Sequence, residues 1–134
     1  MSLSKLSRYN DWGLLFLRVV VAAIFLYHGS QKWGLWTDAP EGMSLSMVTL
    51  FKMLSVVEPL AGLAVLLGLF TREAAAVLAV VMLGAIYTKM MIMNVGFAGQ
   101  AGAGWEFDLV ILAGCVILAM QGAGALSMDA KKNF

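Results

Sequence analysis

The sequence has few of the residues that metal centres, disulfide frameworks and water-facing surfaces need. Its 134 residues include one cysteine, one histidine and two prolines, and only 13% are charged. One cysteine cannot close a disulfide within the chain or form the ligand sets of zinc and iron–sulfur sites. One histidine cannot provide both axial ligands of a haem. We therefore predict no zinc, iron–sulfur, haem or other metal centre, so redox chemistry would need a bound organic molecule or a partner protein.

A large excess of charge of one sign is also missing. The formal net charge is +1, and no stretch combines basic residues with interleaved aromatic residues, which argues against nucleic acid as a partner. What is present instead is apolar, because 61% of the residues are hydrophobic against about 45–50% in soluble proteins. This composition predicts an integral membrane protein whose main partner is the lipid bilayer.

Four apolar segments are long enough to cross a bilayer, which takes about 20 residues per helix. They cover residues 12–33, 47–70, 74–93 and 105–121, and they lack the period-two alternation of membrane strands. Only "TRE" separates the second segment from the third, which predicts an antiparallel hairpin. We predict an all-α fold: an integral membrane four-helix antiparallel bundle in which residues 1–134 form a single four-span domain.

The lysine and arginine residues near the span ends predict the orientation, because positive residues favour the cytoplasmic side. Lys32 and Lys52 lie on one side, and the other side has five basic residues: Lys5, Arg8, Arg72, Lys131 and Lys132. We expect both termini in the cytoplasm and a multi-pass protein of the cell inner (plasma) membrane. The loops at 34–46 and 94–104 then face outward, with three tryptophans at the outer interface: Trp33, Trp36 and Trp105.

Ionisable residues inside the spans are the candidates for function, since each costs at least about 2.5–3.5 kcal/mol to insert. At about 1.5 Å per residue, Glu58, His28 and Lys89 lie about 18–24 Å from the cytoplasmic ends of their helices. Pro59 lacks the N–H that would bond the Ser55 carbonyl, which leaves an acceptor beside Glu58. We predict Glu58 and His28 as catalytic residues. Six more are predicted to bind a cofactor: Arg18, Lys32, Lys89, Ser55, Trp33 and Glu106.

These residues also have structural interpretations. Glu58 can pair with Lys89 or Arg18 only to fix the helices, and His28 can cap the outer end of its helix. Lys32 can extend its side chain to the interface. Both the functional and the structural interpretation remain open at this stage.

Two further patterns are ambiguous in the same way. Glu106 and Asp108 lie two residues apart, about 200° around a helix, so only one of them can face inward. Met90 and Met93 have a spacing found in copper sites, although adaptable packing is the commoner use of methionine. Cys115 lies inside an apolar run, where we expect it to act as a small buried residue.

Five segments in order resemble the DoxX family of small membrane proteins. They are "LRVVVAAIFLYHGSQKW" from residue 17, "EPLAGLAVLLGLFTR" from 58, "MLGAIYTK" from 82, "GF" at 96–97 and "GAGALSMD" from 122. The family pattern matches eleven positions: Arg18, His28, Gly29, Lys32, Glu58, Gly62, Gly68, Arg72, Gly124, Ser127 and Asp129. Lys89 departs from the pattern, because many relatives would have histidine there.

The resemblance implies a four-helix membrane protein, since relatives include the small subunit of thiosulfate:quinone oxidoreductase. We therefore expect a DoxX-like subunit of a redox system that binds quinone or a similar small molecule at the intramembrane polar cluster. A soluble redox partner would dock on the outer loops, and glycines on several helices favour a homo-oligomer. Two alternatives remain: a non-catalytic anchor or scaffold for a soluble enzyme, and a small-molecule or proton carrier.

Overall fold

The computed structural model describes residues 3–99 and 102–131, and within these ranges all regular structure is helical. The prediction of an all-α chain is confirmed. Lys132, one of the basic residues assigned to the cytoplasmic side, lies outside the described residues, as do residues 100 and 101 of the second outer loop.

Four long helices and one short C-terminal helix form the fold. A 3-10 segment, Leu3–Tyr9, leads into the first helix, and a second one, Trp33–Trp36, follows it. The third helix continues directly into a π-helical turn, Thr88–Ile92. The α-helices are α1 Asn10–Gln31, α2 Leu45–Leu67, α3 Thr71–Tyr87, α4 Trp105–Gln121 and α5 Met128–Lys131.

Three helical stretches are long and apolar enough to cross a membrane: Leu3–Trp36, Leu45–Leu67 and Thr71–Ile92. They correspond to the first three predicted spans. The fourth, α4, begins and ends where the fourth span is predicted, but its 17 residues extend about 26 Å against a hydrocarbon core of about 30 Å. Length and composition therefore support three spans directly.

The boundaries of α2 follow from its sequence. Ser44 precedes it and accepts a hydrogen bond from the backbone N–H of Met47 at 3.2 Å, which satisfies one of the free donors of the first turn. At the other end Gly68 has a φ of +69°. A Cβ on Gly68 would also lie 2.3 Å from the Cβ of Ser127, so glycine is required both by the backbone and by the packing.

The helices pack in two pairs, α1 with α2 and α3 with α4, and contacts of α2 with α3 and of α1 with α4 join the pairs. Gly29 of α1 lies against the ring of Pro59 in α2, where a Cβ would stand 2.4 Å from the proline Cγ. α1 and α2 are therefore closest beside Glu58. The core contains residues from all four long helices: Val21, Phe25, Val65, Ala74, Ala75, Leu78, Met82, Ile111, Cys115 and Leu118.

Candidate functional site

Glu58 is a buried carboxylate with one basic partner. Its Oε1 lies 3.2 Å from the Lys32 Nζ, and its Oε2 accepts a hydrogen bond from the same nitrogen at 3.4 Å. Lys32 also donates to the carbonyl of His28 at 3.2 Å. The structural interpretation that paired Glu58 with Lys89 or Arg18 was wrong, because Lys32 folds back from the end of α1 and occupies this position.

Ser55, one helical turn before Glu58, is buried and uses both of its oxygen atoms. Its carbonyl accepts a hydrogen bond from the Trp33 indole at 3.0 Å. Its hydroxyl accepts one from the Trp36 indole at 2.8 Å and donates to the Lys52 carbonyl. The acceptor that Pro59 leaves free is therefore present, and an indole N–H from the outer end of α1 fills it.

His28 is half-buried on α1, one turn before Lys32. Its ring centroid lies 5.8 Å from that of Tyr27 and 6.2 Å from that of Phe107 on α4. Within the described residues, the imidazole nitrogens of His28 have no hydrogen-bond partner. These contacts therefore do not show the expected structural role of a satisfied helix cap, and the ring nitrogens remain available for a hydrogen bond.

Lys89 lies in the π-helical turn that ends the third helix, and its Nζ is 2.7 Å from the Asp108 Oδ2 on α4. The same nitrogen donates to the Ala103 carbonyl at 3.4 Å. Asp108 is buried, whereas Glu106 is exposed. The spacing of the two acids indicated that only one of them can face inward, and Glu106 was the one predicted for the site. Asp108 is the residue that this prediction missed, because the angle between two positions does not say which one faces the core.

Two hollows lie beside this second ion pair. One of about 700 Å³ is bordered by Lys89 and by residues 93–96, 98–99 and 102–103. The other, of about 490 Å³, is a mostly apolar groove between Phe97 and the first residues of α4, including Glu106 and Phe107. Phe107 therefore contacts His28 and also lines the groove.

Arg18 is fully buried far from Glu58, near the other end of the helices. Its Nε donates to the carbonyl of Val65 at 2.9 Å, and its Nη2 donates to the carbonyl of Leu66 at 2.8 Å. Both residues lie in the last turn of α2. Its Nη1 donates to the carbonyls of Ala123 and Leu126 at 3.2 and 2.8 Å. The structure thus separates Arg18 from the outer polar cluster, and its guanidinium joins the end of α2 to the segment after α4.

That segment, residues 122–129, ties several helix ends together, and we call it the C-terminal clip. The Asp129 carboxylate accepts hydrogen bonds from the backbone N–H groups of Phe70 and Thr71 at 2.7 and 2.9 Å. Burial acts to raise the pKa of Asp129, but those hydrogen bonds and the charge of Arg18 outweigh it, so this pKa is lower than usual.

The clip and the adjoining end of α4 also form hydrogen bonds with the starts of other helices. The Asp11 carboxylate accepts a hydrogen bond from the Ala125 N–H at 2.9 Å. Arg72, at the start of α3, donates to the carbonyls of Met120 and Gln121 at the end of α4. Basic groups thus meet the carbonyl ends of α2 and α4, where the helix dipole is negative.

The structure therefore places the predicted site residues in three groups. Glu58, Lys32, His28, Ser55 and Trp33 form one group where the end of α1 meets the middle of α2, and we call it the outer polar cluster because this end of α1 is the one predicted to face outward. Lys89 forms a second with Asp108, with Glu106 exposed nearby on α4. Arg18 binds the C-terminal clip. In the described part of the chain no three His, Cys, Asp or Glu side chains are grouped closely enough to hold a metal ion.

The fold and its buried ion pairs define a small helical membrane protein. The family description DoxX matches residues 13–91, which is more than half of the chain, so the chain belongs to the DoxX family. The resemblance found in the sequence is confirmed. The match covers α1, α2 and α3, and therefore includes the outer polar cluster.

Similar proteins occur in several bacteria. The chain is 36% identical to an uncharacterized membrane protein of Mycobacterium tuberculosis, over 87% of this chain and 78% of the relative. It is 30% identical to a Bacillus subtilis protein named "Putative oxidoreductase CatD", over 87% and 84% of the two chains. An uncharacterized protein of Haemophilus influenzae is 28% identical over 96% and 97%. No solved structure matches the chain significantly.

Proposed function

We propose that this DoxX protein is a membrane subunit of a redox system and binds a quinone, or a similar small carbonyl compound, at the outer polar cluster. The observation that carries the proposal is the combination of a buried carboxylate, Glu58, with an imidazole, His28, that has no hydrogen-bond partner within the described residues. Lys32 joins Glu58 to the backbone of His28, since its ammonium contacts the Glu58 carboxylate and the backbone carbonyl of His28. The Bacillus subtilis relative named an oxidoreductase adds support for a redox role.

The residues of the outer polar cluster suit a carbonyl-bearing ring. His28 can donate a hydrogen bond or a proton to a carbonyl oxygen, and Lys32 can stabilise negative charge on it. The rings of Tyr27 and Phe107 beside His28 can stack on a flat ligand. A bound quinone would supply the two-electron chemistry that this chain lacks. The chain's own part is then to bind and orient the ring and to exchange protons at His28 and Glu58.

The proposal includes the topology that brings the ligand to this site. α4 completes a four-span antiparallel bundle with both termini in the cytoplasm, within the inner (plasma) membrane. The outer polar cluster then lies in the outer half of the bilayer. A soluble redox partner docks on the outer loops to deliver electrons, and the protein forms a homo-oligomer.

Titration of the detergent-purified protein with a short-chain quinone tests this function. Quenching of tryptophan fluorescence reports binding, because the Trp33 and Trp36 indoles bind Ser55, one turn from Glu58. We expect saturable quenching in the wild type and an affinity about tenfold weaker in Glu58→Gln, which corresponds to about 1.4 kcal/mol. Glu41→Gln, in the exposed outer loop, is the matched control and should bind as the wild type does.

The other outcomes contradict the proposal in different ways. If quenching does not saturate in the wild type, the chain has no quinone site. Affinity capture of a soluble partner would then support the anchor or scaffold function, and ligand or proton flux into proteoliposomes would support the carrier function. If Glu58→Gln and the wild type bind equally well, the ligand does not use the outer polar cluster.

A further inference from the structure

Two indoles of one short 3-10 segment converge on a single residue of the neighbouring helix. The Nε1 of Trp33 donates to the Ser55 carbonyl at 3.0 Å, and the Nε1 of Trp36 donates to the Ser55 hydroxyl at 2.8 Å. Ser55 is 1% exposed, so both hydrogen bonds end in the protein interior. They attach the segment after α1 to the middle of α2.

The carbonyl acceptor exists because of Pro59. In an unbroken helix the N–H of residue 59 would bond the Ser55 carbonyl, and proline has no N–H. A buried carbonyl without a donor is costly, and the Trp33 indole provides the missing donor. Gly29 provides the space, since the proline ring lies where a Cβ of Gly29 would be. The proline thus exchanges a hydrogen bond within α2 for one between α2 and the end of α1.

The hydroxyl group of Ser55 forms a second hydrogen bond to the same 3-10 segment, through Trp36. The Ser55 hydroxyl donates to the Lys52 carbonyl, which orients its oxygen as an acceptor for Trp36. The Lys52 Nζ lies 5.2 Å from the centroid of the Trp36 ring, a cation–π distance. Trp36 is therefore held on its ring face as well as at its nitrogen.

The attachment controls the position of Lys32, the residue directly before Trp33. A lysine side chain has four flexible carbons and loses much rotamer freedom when it is fixed. Here its Nζ is 3.2 Å from the Glu58 Oε1, one helical turn from the anchored Ser55. We propose that Trp33, Trp36 and Pro59 are positioning residues: they hold the backbone from which Lys32 reaches Glu58, and so keep that ion pair closed. The expected effect of these residues on ligand affinity rests on the proposed function.

Labelling of Glu58 with a membrane-soluble carbodiimide tests the ion pair without any ligand. Carbodiimides react at a carboxyl oxygen, and the Lys32 ammonium lies against both Glu58 oxygens while the ion pair is closed. We expect slow labelling of the wild type, measured by mass spectrometry of the peptide that contains Glu58, with Glu58→Gln as the blank. Trp33→Phe keeps a ring but removes the indole donor, and it should raise the labelling rate about tenfold.

Pro59→Ala restores a backbone N–H for the Ser55 carbonyl and should release Trp33 in the same way. Because both substitutions remove the same hydrogen bond, their effects should not add, and the double variant should label no faster than the faster single variant. Trp12→Phe, an exposed tryptophan at the other end of α1, is the control and should leave the rate unchanged. A wild-type rate in Trp33→Phe, or additive effects in the double variant, would overturn the proposal.

A quinone titration of the same variants separates this inference from the proposed function. We expect Trp33→Phe to weaken binding about fivefold while the melting temperature stays close to that of the wild type. If labelling follows the expectation but the wild type binds no quinone, the positioning role stands and the proposed function fails. If the wild type binds quinone and labelling does not respond, the positioning role fails alone.

Should Pro59→Ala not fold, Ser55→Ala is the alternative variant, because it removes only the acceptor of Trp36. It should give a smaller increase in labelling, and no increase would contradict the proposal.

Discussion

At the scale of single residues, Arg18 shows how a charge can be placed inside a membrane helix for structural reasons. Its guanidinium donates to four carbonyls, two at the end of α2 and two in the C-terminal clip. The Val65 carbonyl also accepts a hydrogen bond from the Gly68 N–H at 3.1 Å, the Leu66 carbonyl lies in the last turn of α2, and Ala123 and Leu126 lie between α4 and α5. The arginine therefore supplies donors to carbonyls at a helix end and in a non-helical segment, where the regular helical donors run out. The planar fork of the guanidinium allows it to bind two segments at once.

Replacing Arg18 by lysine should therefore destabilise the protein although the charge is kept. A single ammonium cannot reach carbonyls on both segments, so at least two hydrogen bonds to a charged donor are lost, each contributing about 1.5–3 kcal/mol. We expect Arg18→Lys to lower the free energy of unfolding by about 3 kcal/mol, measured by reversible denaturation in detergent. Arg8→Lys, at an exposed position, should have no effect. Equal stability of the two variants would show that Arg18 is not the connector described here.

The contacts of the site residues were only partly predictable. The missing N–H of Pro59 predicts the free Ser55 carbonyl, and the structure confirms the free acceptor. The level of an ionisable group follows from its distance along the helix, which explains why Glu58 and His28 were singled out. The spacing of residues did not predict Lys32 as the partner of Glu58, because a flexible lysine side chain can reach back along its helix by about one turn. Glu106 was predicted instead of Asp108 for a different reason: the angle between two helix positions does not say which of them faces the core.

At the scale of elements, α3 begins on a cap supplied by a distant residue. The N–H groups of Phe70 and Thr71 both donate to the carboxylate of Asp129, 59 and 58 residues later. A local capping residue is absent from this end, since Phe70 precedes the helix with a φ of +49°. Hydropathy predicted the helices and their approximate ends, but not this cap or the π-helical turn at Thr88–Ile92, because neither has a periodic signature in the sequence.

Stability should depend on the charge of Asp129 at low pH. Its pKa is lower in the folded protein than the usual value of about 3.9, so the carboxylate stabilises the fold above that value and the stabilisation is lost as the pH falls through the folded pKa. We expect Asp129→Asn to cost about 1 kcal/mol at pH 7, as for loss of a helix cap. Melting curves from pH 7 to pH 2.5 should show the difference shrinking at the acidic end.

Glu73→Gln is the matched control for that measurement. Glu73 is an exposed acid in the first turn of the same helix, where it interacts with the helix dipole but caps no N–H group. Its substitution should change the melting temperature much less than that of Asp129. A difference between wild type and Asp129→Asn that stays constant down to the lowest pH would contradict the assigned role of the charge.

At the scale of the whole molecule, polar groups are concentrated at the two ends of the helices. One end has the outer polar cluster and the Lys89–Asp108 pair, and the other has Arg18 and the C-terminal clip. Between them the core is apolar. Composition and the long apolar segments predicted a helical membrane protein. Which polar residues meet at each end depends on the rotation of every helix about its axis. The spans are almost uniformly apolar, so their sequences do not predict this rotation.

The orientation can be measured with single cysteines. Cys115 is the only cysteine and is buried, so Cys115→Ser gives a background without thiols. In that background we expect Asp38→Cys, in the outer loop, to react with a membrane-impermeant maleimide in intact spheroplasts. Ser7→Cys, near the N-terminus, should react only after permeabilisation. Both positions are exposed. The reverse pattern would place the outer polar cluster toward the cytoplasm.

The C-terminal clip also determines the order in which the protein can mature during synthesis. The carbonyls of Ala123 and Leu126 lie 105 and 108 residues after Arg18, so the ribosome makes them only after all four long helices. Until then the Arg18 guanidinium has only its two carbonyl partners at the end of α2, and the N–H groups of Phe70 and Thr71 lack the Asp129 carboxylate. The contacts of the C-terminal clip therefore form last during synthesis, and a stall within residues 122–129 would prevent them.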